Sequence, residues 1–83
     1  MVDTSHINVT IDFSNWNDEQ YDLRIPTQQT VKQLLMNLHE TLDIPIPNRA
    51  LFAFKVTTKQ LLIADEDSLQ DYPVTDGDIL TVL

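Results

Sequence analysis

The stretch SLQDYPVTDGDILTVL, residues 68–83, decides how the rest of this chain is read. Ser68-Leu69-Gln70-Asp71-Tyr72 has the composition of a tight turn, and Pro73 breaks the connection that follows. Thr75-Asp76-Gly77-Asp78 makes a second turn before the apolar run Ile79-Leu80-Thr81-Val82-Leu83. Gly77 is the only glycine in the molecule. A single glycine between two aspartates, just before an apolar strand, is expected where φ must be positive. The run that follows alternates as a strand does: with Leu80 and Val82 facing a core, Ile79, Thr81 and Leu83 face outward, beside Thr10 and Asp12.

Working back from this stretch, Asp65-Glu66-Asp67 opens the loop that leads into it. The short apolar run Leu61-Leu62-Ile63 precedes that loop, and the polar turn Thr57-Thr58-Lys59-Gln60 separates it from residues 49–56. Leu51, Phe52, Phe54 and Val56 make that earlier segment a further strand. Residues 30–42 change period. Val31, Leu34, Leu35, Leu38 and Leu42 recur at i, i+3, i+4, i+7 and i+11, one stripe of a helix. Thr30-Val31-Lys32-Gln33 has the form of a capping box, in which the Thr30 hydroxyl and the Gln33 side chain satisfy orphaned backbone donors. Pro45 and Pro47 stop the helix, because proline disfavours helical geometry in the residue before it.

The beginning of the chain alternates with period two. Ile7, Val9, Ile11 and Phe13 share one face, opposite Asn8, Thr10 and Asp12. Residues 14–18, Ser-Asn-Trp-Asn-Asp, are a turn by composition. Tyr21, Leu23 and Ile25 then share a face opposite Asp22 and Arg24, until Pro26 ends the run. Two alternating strands across a five-residue turn predict an antiparallel hairpin with one apolar face. That face and the helical stripe should pack on each other. The last strand is expected to enter the middle of the sheet, parallel to the first, once the helix has crossed over. The predicted architecture is α+β: a β-grasp, with a mixed sheet of four to five strands packed on one α-helix. Residues 7–83 would form this one domain, and residues 1–6 an N-terminal extension.

Composition narrows the function. Thirteen carboxylates against five lysines and arginines give a net charge of −8. Nucleic-acid binding depends on Lys and Arg contacts to phosphate, so this balance argues against it. It argues equally against electrostatic attachment to anionic membranes, and it suits either a basic protein partner or simple solubility. With no cysteine there is neither a disulfide nor a thiolate zinc site. No apolar run is long enough to span a bilayer, and the first residues lack the regions of a signal peptide, which makes the cytoplasm the expected location.

Residues able to carry chemistry are few. His6, His39, Ser5, Ser14 and Ser68 suggest no nucleophile–base pairing, so no catalytic residue and no enzyme activity is expected. Asp65, Glu66, Asp67 and Asp71 lack the spacing of a calcium loop, and His39-Glu40 lacks the second histidine of a helical zinc pair. Neither metal nor cofactor is expected. Trp16, the only tryptophan, has two readings: an interface anchor exposed in a polar turn, or a ring folded back over the hairpin end to cover the core. Ile79 and Leu83, with Phe52 or Phe54, would form a docking surface if contiguous on the outer face of the sheet. The hairpin strand at residues 19–25 is a candidate sheet edge. It is open to strand addition, or protected from it by Asp22 and Arg24.

The order of elements resembles ubiquitin. Ser68-Leu69-Gln70-Asp71-Tyr72-Pro73-Val74 is similar to Thr-Leu-Ser-Asp-Tyr-Asn-Ile of ubiquitin, and Ile44-Pro45 and Lys59-Gln60-Leu61 match its Ile-Pro and Lys-Gln-Leu. A narrower resemblance spans nearly the whole chain. Val9-Thr10-Ile11-Asp12-Phe13, Tyr21-Asp22-Leu23, Asp71-Tyr72 and Asp76-Gly77-Asp78-Ile79-Leu80 resemble the small YukD/EsaB proteins of Gram-positive bacteria. The resemblance implies a ubiquitin-like cytosolic accessory protein of the type VII (WXG100, ESX-like) secretion system. Its expected partners are cytosolic domains of the system's membrane components. Conjugation and sulfur carriage require a flexible Gly-Gly tail, and no glycine lies within five residues of Leu83, so a non-conjugated role is expected. The alternatives are a modifier or sulfur carrier whose tail is missing from this sequence, or an adaptor of another pathway. Ubiquitin's recognition patch does not transfer: two alignments of the third strand place either Phe52 or Lys55 at its central isoleucine.

Overall fold

The computed structural model describes residues 6–83. The alternation near the start produces β1 (His6–Asp12) and β2 (Gln20–Pro26), an antiparallel pair with Val9 opposite Leu23 and Ile11 opposite Tyr21. His6 pairs with Pro26, so the sheet takes in the residue assigned to the extension; it continues the outward-facing series of Asn8 and Thr10. The turn between the strands closes on Phe13, whose carbonyl accepts the N–H groups of Trp16 and Asn17, each at 2.8 Å.

Helix α1 (Val31–Leu42) lies where the stripe predicts and buries Val31, Leu34 and Leu35. Leu38 and Leu42 are half-buried against the same core. Only half of the capping box forms. Thr30 Oγ1 accepts the Gln33 N–H at 3.2 Å, but Gln33 Nε2 donates forward to Asn37 Oδ1. The acidic loop satisfies two other first-turn donors: Val31 N–H donates to the Asp67 carbonyl at 2.8 Å and Lys32 N–H to the Asp65 carbonyl at 3.1 Å. At the other end Asp43 is left-handed, with φ 54°, and its N–H caps the His39 carbonyl.

Strands β3 (Phe54–Val56) and β4 (Leu61–Ile63) pair antiparallel, and β5 (Ile79–Val82) runs between β3 and β1. The sheet order is β2-β1-β5-β3-β4, with β5 parallel to β1 as expected. Ile11, Phe13, Phe54, Val56, Ile63, Leu80 and Val82 are fully buried between this sheet and the helix. Gly77 adopts φ 88°, the positive value its context predicts, with nothing near enough to crowd a side chain.

The strand expected over residues 49–56 is shorter. Phe52 takes φ 53°, a left-handed conformation no regular strand tolerates, and the regular ladder begins only at Phe54. Leu83 N–H still donates to the Ala53 carbonyl at 2.9 Å, and Leu51 N–H to the Leu83 carbonyl at 3.1 Å. Pairing therefore continues past an irregularity in which residues 51–53 together face Leu83, as in a bulge.

Candidate functional site

The inner face of the sheet is filled by the core, which leaves its outer face to solvent. The registers align Gln20, Asp12, Thr81, Lys55 and Leu62 in one row across all five strands. Asp22, Thr10 and Ile79 form the next row. With strands about 4.8 Å apart, Leu62 lies two strands, roughly 10 Å, from Thr81. Leu80 and Val82 point inward as expected, which turns Ile79 and Thr81 outward beside Thr10 and Asp12.

Among the described residues three large apolar side chains stand in solvent: Leu51 and Leu62 at 66% exposure each, and Ile79 at 37%. Ile79 and Leu62 belong to the outer face, with the exposed Lys55 between them. Leu51 lies beside Leu83 through its backbone bond. Leu83 is half-buried, and its carbonyl also accepts Trp16 Nε1–H at 3.4 Å. On the β1–β2 side the face is polar. A groove of about 310 Å³ is lined by Asn8, Thr10, Asp22, Arg24 and Gly77. Thr10 Oγ1 donates to Asp22 at 2.6 Å, and Asp76 accepts the Asn8 N–H at 2.8 Å.

Of the four residues singled out from the sequence, Ile79 and Leu83 lie on one strand line, whereas Trp16 and Phe52 form a layer beneath. Trp16 is 9% exposed, so its ring takes the covering role and is withdrawn from the surface. It packs on Phe13 at 5.6 Å and edge-on against Phe52 at 5.7 Å, while the neighbouring Asn15 Nδ2 donates to the Val82 carbonyl. Phe52 is half-buried in that contact. Lys55 is exposed in the middle of β3.

Sequence reasoning missed Leu62 and Asp78. Leu62 was legible in principle, since the middle residue of three apolar ones in a strand must face away from its neighbours. Asp78 is 6% exposed and joins two turns. Its carboxylate accepts Lys59 Nζ at 2.7 Å, Thr58 Oγ1 at 2.8 Å and the Thr75 N–H at 2.9 Å. Burial pushes this carboxyl up. The bonds from Lys59, Thr75 and Thr58 and the Lys59 charge outweigh that and hold it below the ordinary carboxylate value. Elsewhere, Tyr72 donates to Asp67 at 2.7 Å; that hydrogen bond, then burial and the nearby Asp67 and Asp71 charges, raises the phenol.

The chemistry-bearing residues stay apart. His39 Nδ1 is engaged by the Ile44 carbonyl, at the opposite end of α1 from Ser68, which bridges to Thr30. Ser5 lies outside the described residues. Among the described residues no group of three or more His, Asp or Glu side chains could hold a metal ion. Likewise, no helix among them is long and apolar enough to cross a membrane.

A mixed five-stranded sheet in this order, packed on one helix, defines the ubiquitin-like class of β-grasp proteins. The solved ubiquitin-like domain of an Arabidopsis thaliana protein superposes with a TM-score of 0.69 at 19% identity, covering 100% of this chain and 81% of that one. The family model described as "WXG100 protein secretion system (Wss), protein YukD" matches residues 6–82, and the chain belongs to that family. It is 41% identical over 78 residues to the type VII secretion system accessory factor EsaB of Staphylococcus aureus, covering 94% of this chain and 96% of EsaB. It is 28% identical over 78 residues to the ESX secretion system protein YukD of Bacillus subtilis, covering 94% and 99%. The resemblance drawn from Val9–Thr10–Ile11, Tyr21-Asp22-Leu23 and the Asp76-Gly77-Asp78 turn therefore holds.

Proposed function

We propose that this protein is a cytoplasmic accessory component of a Gram-positive type VII secretion system, acting by protein contact and without catalysis. The observation that carries the reading is its 41% identity, over nearly its whole length, to a secretion accessory factor. On this reading the partners are cytosolic domains of the system's membrane components, and they dock on the outer face of the sheet. Ile79, Leu62 and Leu83 supply apolar contact around Lys55, whose ammonium pairs with a partner carboxylate at the centre of the patch. Trp16 and Phe52 serve from beneath, fixing the segment that presents Leu51.

The test is export of small WXG100 substrates from the native host, comparing wild type, a deletion and complemented strains. Wild-type protein should restore export, and folded Ile79→Asp or Leu62→Asp protein should not. Unchanged export in the deletion, under conditions where the system is active, would overturn the secretion reading. Full rescue by both variants would remove this face.

A further inference from the structure

The free edge of β2 is complementary to itself. Phe13 N–H donates to the Glu19 carbonyl at 2.8 Å, Gly77 N–H to the Asn8 carbonyl at 2.8 Å, and Thr10 N–H to the Asp78 carbonyl at 3.0 Å. Residues Asn8 and Thr10 therefore turn their backbone groups toward β5, while Val9 and Ile11 turn theirs toward Leu23 and Tyr21 of β2. Alternation then leaves the N–H and C=O groups of Gln20, Asp22 and Arg24 pointing away from the sheet, together with the carbonyl of Pro26. β2 ends the strand order, so this edge is unpaired among the described residues.

We infer that this edge pairs with a second copy of the chain, antiparallel about a two-fold axis at Leu23. In that register Asp22 lies opposite Arg24 of the second copy, and Arg24 opposite its Asp22. Both are bonded pairs, exchanging N–H···O=C links in each direction. Gln20 N–H meets the carbonyl of Pro26, which needs no donor of its own. The two-fold doubles each link, for on the order of six backbone hydrogen bonds. The half-buried Leu23 meets its own copy at the axis and covers the apolar surface left between β2 and the helix side.

Charge chooses this register. A shift by two residues in one direction sets Asp22 against Asp22, and in the other Arg24 against Arg24, with like charges directly opposite. Both side chains are exposed, and Arg24 has no ion-pair partner within the described residues. Thr10 Oγ1 holds the Asp22 carboxylate at 2.6 Å. The product is one continuous ten-stranded sheet, closed by symmetry. It leaves both copies of β4 at its ends.

Sedimentation equilibrium over a range of protein concentrations provides the test. It is run at physiological salt, where repulsion between two chains of net charge −8 is screened beyond about 8 Å. Wild-type protein should show a monomer–dimer equilibrium. Asp22→Arg and Arg24→Asp should each weaken it about tenfold, since two attractive pairs become repulsive, and the double exchange Asp22→Arg with Arg24→Asp should restore it. Amide exchange at Asp22 and Arg24 in the unmodified protein should slow as concentration rises, which requires no variant to fold. A monomer at every concentration, a dimer indifferent to the single reversals, or failure of the folded double exchange to recover association would each overturn the proposal.

Discussion

Asp78 shows how much one side chain can organise in a small domain. Its carboxylate gathers Lys59 and Thr58 from the β3–β4 turn and the Thr75 amide from the turn before β5. Asp78→Ala leaves those donors without their acceptor. Because Lys59 remains 32% exposed, the cost is discounted to about 2 kcal/mol, readable as a lower urea midpoint at unchanged slope. The same carboxyl makes stability depend on pH. Its folded pKa lies below the unfolded one, so its contribution is complete above about pH 4 and disappears as the pH falls through the depressed folded value. Acid unfolding of Asp78→Ala should accordingly lose part of the wild-type slope in that window. Gly77 is a simpler case. At φ 88° with open space around it, Gly77→Ala is strained by backbone alone, costing about 1–2 kcal/mol in the same urea titration.

The elements differ in how plainly they could be read. Helix α1 was legible because its stripe, from Val31 through Leu34 and Leu35, needs only a helical period and an apolar partner. Leu35→Ala, at a fully buried site, should cost about 3 kcal/mol in thermal or urea unfolding. Thr30→Ala removes one bond to the Gln33 amide and should cost about 1 kcal/mol. Residues 49–53 were not legible as they stand. Their apolar content suits a strand, but the φ 53° at Phe52 is imposed by the Trp16 ring and by Leu83 from across the sheet. A window of sequence contains neither neighbour. Asp78 escaped for the same reason, since its partners Lys59 and Thr58 lie nineteen and twenty residues away.

For the whole molecule, the sheet order followed from the length of the helical crossover and the apolar final strand, and family membership followed from dispersed motifs. The proposed docking face was half visible. Ile79 was found by alternation, whereas Leu62 and the centrality of Lys55 required the registers of β3, β4 and β5. Because Leu62 is 66% exposed and Ile79 37%, an aspartate at either position should shift folding stability by no more than about 0.5 kcal/mol, measured by thermal unfolding. Any export defect in those variants would then report contact and not collapse. The central place of β5 also sets a timetable. Everything that β5 joins is translated before it, so a growing chain can close the β1–β2 hairpin and wind the helix but must hold the facing edges of β1 and β3 open. The native sheet is completed in one late, long-range step. A nascent chain stalled before Asp78 is therefore a target for chaperones and proteases, however complete its helix and hairpin.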